Sequence, residues 1–368
     1  MVFGLSVSSS WGNGHATLWR GLIRALGSLG HRVVFFERDL PDSAGHRDLR
    51  ELAGGELVLY DSWGGVRRRA EHHLADADAA IVTSFCPDAI EACEEILASP
   101  ACIRCFYDLD TAVTLERLRA GQPVEYLPAR GLGDFDLVLS YTGGKALAEL
   151  KTRLGARHVA PLYGSADPAV HHAAPPEERF RADLSCIGSY SGREQAFDEL
   201  FLEPARRRPD LRFAIAGPQC GADFPRTPNI AFHPHVPAAE LAAFYSSSRL
   251  TLCVTRQAMA ELGYCPSGRL FEAAACGVAV LSDEWEGLDY FFEPGREILA
   301  ARTTAHVMDA LAMSPEALRR IAQAGRQRVL AHHIAARRAL ELENILEAAV
   351  SLPVEREVRQ ALSPAGGQ

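Results

Sequence analysis

The chain has 368 residues, of which 48% are apolar and 23% are charged, and its formal net charge is −9. A soluble globular protein of this length is expected to form two domains, because a single hydrophobic core rarely extends over so many residues. Nucleic-acid binding depends on Lys and Arg side chains that neutralise phosphates, so the negative charge argues against a nucleic-acid partner.

The sequence also lacks the marks of a membrane or secreted protein. No apolar run approaches the roughly 20 residues that cross a bilayer, and the first residues lack the basic stretch of a signal peptide. The nine cysteines are an odd number, which argues for reduced core thiols rather than a disulfide framework. We therefore expect a cytoplasmic protein without a transmembrane segment.

The first 40 residues follow a strand, loop, helix, strand pattern. Residues 2–7 are apolar, small residues lead to His15, and apolar positions then recur at helical spacing from Thr17 to Leu29. Residues 32–37 form the next apolar run. His15 thus lies in a loop at the carboxyl end of a strand, where open α/β sheets bind ligands. It is a candidate base or hydroxyl ligand, although many loop histidines have neither role.

Short apolar runs and helical stretches alternate along most of the chain, which predicts mostly parallel, doubly wound sheets. The alternation stops at residues 167–183, where three prolines and mixed charges predict a linker. We therefore predict a first domain at 1–166, a second at 184–345, and a terminal helix with a disordered tail at 346–368.

Two carboxylates, Asp108 and Asp110, stand at the end of an apolar strand in the first half. If the segment stays extended, both side chains point the same way and could bind a metal–diphosphate. One of them could instead bind sugar hydroxyls or act as a base. Asp110 could also cap a helix that starts at Thr111. The residues alone leave these alternatives open.

In the second half, the loop from Gly188 to Arg193 follows a strand and precedes a helix. Small residues such as Ser189 would let backbone amides approach a phosphate, and Arg193 would add positive charge. Turns of this kind are also common without a ligand. His233 and His235 form a His-x-His pair, which is weak support for a metal site without further ligands.

Residues 263–283 predict a tight turn, a short helix and a buried strand. Ser267 can cap the helix and Gly277 can end it. Arg269 in the first turn suits an anion beside the free N–H groups of the helix start. Glu272, one turn further on, could meet hydroxyls on the same ligand. The pattern indicates a site for a phosphate joined to a sugar.

The stretch Y-C-P-S-G-R-L-F-E-A-A-A-C-G-V-A-V-L-S-D at 264–283 is followed by F-E-P-G-R-E-I at 292–298. These segments resemble the S-x-R-x-F-E-x-x-A-C-G and F-x-P-G-x-E-I patterns of the GT-B-fold glycosyltransferases, most closely the CgeB-like (spore maturation protein-like) group. F-Y-D-L-D-T at 106–111 and the stretch 235–245 are supporting matches. The resemblance covers nearly the whole chain and implies an α/β fold with two Rossmann-like, doubly wound parallel-sheet domains that face a cleft.

In that superfamily the second domain binds the nucleotide sugar and the first receives the acceptor. By position, the resemblance implies that the helix start faces the diphosphate, that Glu272 binds the ribose, and that the 235–236 backbone lies near the base. The first glutamate of the Glu-x7-Glu motif would fall at Tyr264, so the chain departs from the pattern at the sugar site. The implied donor-binding residues are Gly188, Ser189, Arg193, His235, Val236, Ser267, Gly268, Arg269 and Glu272.

The implied reaction moves a sugar, such as the hexose of a UDP- or TDP-sugar, to a hydroxyl-bearing acceptor. No metal or cofactor is expected, because GT-B enzymes usually neutralise the diphosphate with helix dipoles and basic side chains. Asp110 is the first candidate for a catalytic group in the first domain, followed by Asp108 and His15. The alternatives are a nucleotide-sugar epimerase and a non-catalytic GT-B module that binds a nucleotide sugar. A nicotinamide dehydrogenase is disfavoured, since the glycine fingerprint is incomplete and Glu37 is the sole candidate for ribose binding.

Overall fold

The structure is a computed structural model that describes residues 1–99, 102–188, 190, 192–217 and 227–350. Within these ranges the chain forms two parallel sheets of seven and six strands, each covered by helices. The predicted fold class, two Rossmann-like α/β domains, is confirmed. The predicted disordered tail lies outside the described residues.

The first sheet has the strand order β3-β2-β1-β4-β5-β6-β7, and its paired strands are parallel. Its strands are β1 Val2–Gly4, β2 Val33–Arg38, β3 Gly55–Tyr60, β4 Ala79–Thr83, β5 Ile103–Asp108, β6 Leu137–Ser140 and β7 Val159–Pro161. The helices between them are α1 Gly14–Ser28, α2 Pro41–Gly45, α3 Trp63–Ala75, α4 Ala89–Ala98, α5 Thr111–Arg119 and α6 Lys145–Leu154.

Both faces of this sheet are buried, which explains why its strands are continuous apolar runs. Successive side chains of a strand point to opposite faces. Phe35 therefore packs in one core with Trp19 and Leu22 of α1, whereas Phe36 packs in the other with Val66 of α3.

The second sheet repeats the arrangement with the order β10-β9-β8-β11-β12-β13. Its strands are β8 Ala182–Ile187, β9 Phe213–Ala216, β10 Ile230–His233, β11 Ser248–Cys253, β12 Ala279–Asp283 and β13 Leu299–Ala301. Its helices are α7 Glu194–Phe197, α8 Glu203–Arg207, α9 Leu241–Ser246, α10 Gln257–Leu262, α11 Gly268–Ala275, α12 Leu288–Phe291, α13 Thr304–Ala312 and α14 Pro315–His332. A π-helical turn at Asp198–Leu202 joins α7 to α8.

The last described helix, α15 (Ala335–Val350), returns to the first domain. Its residues Ala339 and Leu342 are buried in the same core as Trp19 and Leu22. Residues 304–350 thus contain three helices, α13, α14 and α15. The third begins within the predicted second domain and completes the core of the first, because its apolar stripe faces α1.

Candidate functional site

The site lies where the two sheets present the loops at the carboxyl ends of their strands. In each sheet the chain adds strands first on one side of the first strand and then on the other. The two sides meet between β1 and β4 in the first sheet and between β8 and β11 in the second. Ligands of open α/β sheets bind in the crevice at such switch points. The loops there lead to His15 and Ser84 in the first domain, and to Arg193 and Arg256 in the second.

His15 and Asp110 form a pair in the first domain. Asn13 accepts a hydrogen bond from the His15 backbone N–H and so caps α1, which places the histidine in the first helical turn. The His15 Nε2 atom lies 2.8 Å from Asp110 Oδ2, and the Ser84 hydroxyl donates to the same oxygen, also at 2.8 Å. Two of the three predicted catalytic residues are therefore in direct contact.

Asp110 occupies the N-cap position of α5, but its side chain makes no capping bond. The carboxylate is used by His15 and Ser84 instead, and 21% of it is exposed. Burial alone would raise the pKa of Asp110, but the charge and hydrogen bond of His15, together with the Ser84 hydroxyl, hold that pKa below its ordinary value. Asp110 is thus an ionised carboxylate with access to the cleft.

Asp108 lies behind Asp110 and is fully buried. Strand β5 ends at this residue, so the two carboxylates do not form the same-side pair that an extended segment would give. Asp108 accepts a hydrogen bond from the Asp110 backbone N–H at 3.0 Å. Burial and then the charge of Asp110 raise the pKa of Asp108 to about 7. Through this bond, the buried carboxylate of Asp108 holds the loop that carries Asp110.

Arg193 and Arg269 converge on Gly188 in the second domain. A Cβ atom placed on Gly188 would lie 3.6 Å from Nη1 of each arginine. Arg193 is 9% exposed, and its Nε donates to the Val254 carbonyl at 2.7 Å. Burial, followed by the like charges of Arg269 and Arg256, lowers the pKa of Arg193 to about 10. Cations held this close together create a strong local demand for an anion.

Helix α11 begins beside these arginines, as the sequence predicts. Ser267 is its N-cap residue, although its side chain makes no capping bond. A Cβ on Gly268 would lie 3.7 Å from Glu272 Oε1 and 3.6 Å from the Tyr141 hydroxyl, so Glu272 reaches back to the helix start. The structure therefore brings Ser267, Gly268, Arg269 and Glu272 together around one helix N-terminus.

His235 and Val236 follow β10 on the same side of the second sheet. Val236 is buried in the core of the second domain, and the His235 ring lies 4.3 Å from the ring of Trp11 in the first domain. His233 packs between Phe180 and Phe244, which gives it a core role. In the described ranges, no three His, Cys, Asp or Glu side chains are placed to hold a metal ion. Ser189 lies outside the described residues.

Tyr264 fills a gap between the domains. Its ring lies against Gly144 and Gly287, where an added Cβ would come within 2.7 Å of the ring, and its Cβ atom lies near Gly143. The Gly143 N–H donates to the Tyr264 carbonyl at 2.9 Å, and the Tyr264 N–H donates to the Glu286 carbonyl at 2.7 Å. Tyr264 has a left-handed φ of 45°, which is unusual for an aromatic residue. We call the space formed by the three glycines the glycine slot.

Glu37, which the dehydrogenase interpretation requires, is fully buried. Both of its oxygens are occupied by the loop after β1, because they accept hydrogen bonds from the Ser6 and Ser8 hydroxyls and from the Val7 and Ser8 N–H groups. This carboxylate shapes the loop that leads to His15 and cannot bind a ribose.

The sequence interpretation missed Arg256 and Ser84. Each follows the last residue of a central strand by one to three positions. Neither belongs to a recognisable local motif, and only the strand order shows that both lie at switch points. Arg256 could have been predicted from its position, because it is an arginine that closely follows a buried apolar strand.

The comparisons with known structures identify the architecture. Sucrose-phosphate synthase from Thermosynechococcus elongatus is 14% identical with a TM-score of 0.70, and the match covers 96% of this chain and 99% of that one. An Anabaena protein in complex with UDP and glucose is 11% identical with a TM-score of 0.65, and the match covers 94% and 99%. The chain has the GT-B fold.

Another GT-B structure, the catalytic domain of starch synthase IV from Arabidopsis thaliana bound to ADP and acarbose, is 13% identical with a TM-score of 0.62. That match covers 95% of this chain and 99% of the other. Residues 193–344 match a family model described as glycosyl transferase-like. That segment carries all the predicted donor residues except Gly188 and Ser189. No curated protein matches the chain by sequence. Among the described helices, none is both long and apolar enough to cross a membrane.

Proposed function

We propose that this GT-B chain is a glycosyltransferase that moves a sugar, in the first instance a hexose, from a nucleoside diphosphate sugar to a hydroxyl-bearing acceptor. The observation that carries the proposal is the convergence of Arg193 and Arg269 at the start of α11, where a diphosphate would neutralise both charges. The glycosyl transferase-like match over 193–344 and the solved structures with bound UDP and ADP support the same conclusion. Within this class we assign the chain to the CgeB-like group on its 264–298 motif.

The donor would lie across the second domain. The backbone of His235 and Val236 would contact the base, Glu272 the ribose hydroxyls, and Ser267, Gly268 and Arg269 the diphosphate. The half-buried position of Glu272 beside Gly268 supports the assignment of ribose and diphosphate contacts, because one ligand can reach both the carboxylate and the helix start. Gly188 allows close approach of the phosphates to Arg193.

Asp110 would act on the acceptor from the opposite side of the cleft. Its carboxylate would take the proton of the attacking hydroxyl while the acceptor oxygen bonds to the anomeric carbon and the bond from that carbon to the diphosphate breaks. His15 would keep Asp110 ionised and oriented through the 2.8 Å contact. Asp108 would hold the loop from behind through its bond to the Asp110 N–H. Neither residue needs to touch the substrates.

The leaving diphosphate would be stabilised by the arginines and the N-terminus of α11, so we propose transfer without a metal ion or cofactor. Chelation tests this part separately. Activity that survives excess EDTA supports it, and activity that vanishes with EDTA and returns with Mg²⁺ or Mn²⁺ contradicts it.

The experiment for the reaction class incubates the chain with UDP-glucose, TDP-glucose, GDP-mannose and ADP-glucose, with and without a panel of sugar and lipid alcohols. Acceptor-dependent release of a nucleoside diphosphate is the expected result. Conversion of the donor to an epimeric sugar without release would indicate the epimerase alternative. Binding of donor without either product across the panel would indicate the non-catalytic module.

A further inference from the structure

Arg256 occupies a fixed position between the two domains. It follows β11 and is the N-cap residue of α10. On one side, the Thr255 N–H and hydroxyl donate to Asp283 Oδ1 at 2.9 and 2.8 Å. On the other, the Gln257 N–H donates to the Gly192 carbonyl at 3.1 Å. The backbone of Arg256 is therefore held at the switch point, next to the loop that carries Arg193.

Helix α10 extends from this point onto the first domain. Leu262 of α10 is buried in a small core with Ala112 and Leu115 of α5 and Ala146 of α6. Asp110 is the residue that precedes α5. Arg256 thus begins a helix that is docked on the helix following Asp110, and it stands between the phosphate-facing arginines and the first-domain carboxylate.

The Arg256 side chain is exposed, and among the described residues it makes no hydrogen bond or ion pair. Its charge nevertheless reaches both sides of the cleft. It adds to burial and to the charge of Arg269 in lowering the pKa of Arg193. Burial raises the pKa of Asp110, and Arg256 helps His15 and Ser84 to lower it. An exposed cation at this position can bind a group that lies between Arg193 and Asp110.

We propose that Arg256 binds the sugar-bearing phosphate of the donor, on the side of the diphosphate that faces the acceptor. The inference rests on the proposed function and adds a residue to it. When the bond between the anomeric carbon and the phosphate oxygen breaks, the electron pair stays on that oxygen. Arg256 neutralises the charge that develops there, whereas Arg193 and Arg269 hold the diphosphate from the second domain.

The test compares nucleoside diphosphates with monophosphates, because the second phosphate is the one that Arg256 contacts. Binding of UDP, TDP, GDP and ADP and of the matching monophosphates is measured by calorimetry for wild type, Arg256→Gln, Arg256→Lys and the exposed control Arg319→Gln. For the diphosphate that binds wild type, Arg256→Gln should lower the affinity by about tenfold or more, as expected for a lost hydrogen bond to a charged group. Its monophosphate affinity should stay within about twofold of wild type, and Arg256→Lys should recover part of the loss.

If Arg256→Gln lowers the affinities for diphosphate and monophosphate equally, or lowers neither, the assignment of Arg256 is overturned. If wild type binds none of the four diphosphates, the proposed function itself is wrong and this inference falls with it. Melting temperatures of the variants establish that each one is folded, which is expected because the side chain is exposed and makes no internal bond.

Discussion

The two domains share a strand order but place charge differently at the carboxyl ends of their strands. In the first domain the arginines near the cleft are paired with carboxylates, as in Arg20–Asp48, Arg38–Asp88 and Arg47–Asp39. In the second domain, the positive charges of Arg269 and Arg256 act on Arg193 and lower its pKa. Positive charges held close together favour the binding of an anion, whereas a pairing carboxylate offsets the charge of its arginine.

The difference shows how one scaffold can supply the two halves of a transfer reaction. In the proposed reaction, the second domain offers positive charge to the donor, and the first offers an ionised carboxylate, Asp110, to a hydroxyl. Because both sets of residues lie on the loops and helix starts that follow the strands, the strand order places them and their side chains decide the chemistry. Changes confined to one domain should therefore affect one substrate and spare the other.

The largest effect is expected for Asp110→Asn, which keeps the shape of the side chain and removes its charge. Turnover should fall by about 10²- to 10⁴-fold, the usual contribution of a general base. Affinity for the nucleoside diphosphate should be almost unchanged, since the donor binds the other domain. Steady-state kinetics and calorimetry check the two parts, with the exposed Asp76→Asn as control. A variant that transfers sugar at the wild-type rate would remove Asp110 from the mechanism.

Arg269→Ala should have the next largest effect, because it removes one charge stabiliser of the leaving diphosphate. Turnover should fall by about 10²-fold or more. The matched control is Arg319→Ala, an exposed arginine on α14 that pairs with Glu316. Initial rates at saturating acceptor provide the measurement, and turnover within about twofold of wild type would contradict the role assigned to Arg269.

Gly287→Ala tests the contact that joins the domains. The alanine Cβ would crowd the Tyr264 ring in the glycine slot, and overpacking of this kind costs about 1–3 kcal/mol. Gly295→Ala is the control, because Gly295 also has a positive φ, 83° against 93°, but has open space around its Cα. Calorimetric melting should show a lower midpoint for Gly287→Ala than for Gly295→Ala.

A second substitution tests whether the ring is the cause. Adding Tyr264→Ala to Gly287→Ala should recover part of the lost stability, since it removes the atoms that are crowded. Equal midpoints for Gly287→Ala and Gly295→Ala would show that Tyr264 does not pack tightly in the slot.

The smallest effect concerns the dependence of stability on pH. The pKa of Asp108 is raised to about 7 in the folded chain, so between about pH 4 and 7 the folded state keeps a proton that the unfolded state releases. This residue therefore contributes a loss of stability as pH rises through that window. Asp108→Asn should show a smaller fall in melting temperature from pH 5 to pH 8 than wild type or the exposed control Asp76→Asn. An unchanged fall would contradict a protonated Asp108.

Local patterns predicted much of the fold and of the donor side. Ser267, Arg269 and Glu272 are neighbours on one short helix, so their grouping follows from spacing alone. The contact between His15 and Asp110 spans 95 residues and depends on two loops meeting at one edge of the sheet. The glycine slot and the return of α15 to the first domain likewise need the packed structure, because their partners are far apart in sequence. The burial of Asp108 could not be predicted either, because the sequence does not show whether the strand ends at Asp108 or continues through Asp110.

The central claim is that the second domain binds a nucleoside diphosphate through its clustered arginines. Calorimetric titration of UDP, TDP, GDP and ADP into wild type and into Arg269→Ala tests it most directly. At least one of the four should bind wild type, and Arg269→Ala should bind that ligand about tenfold or more weakly, as expected for a lost hydrogen bond to a charged group. Absence of binding by all four, or equal binding by the variant, would contradict the claim.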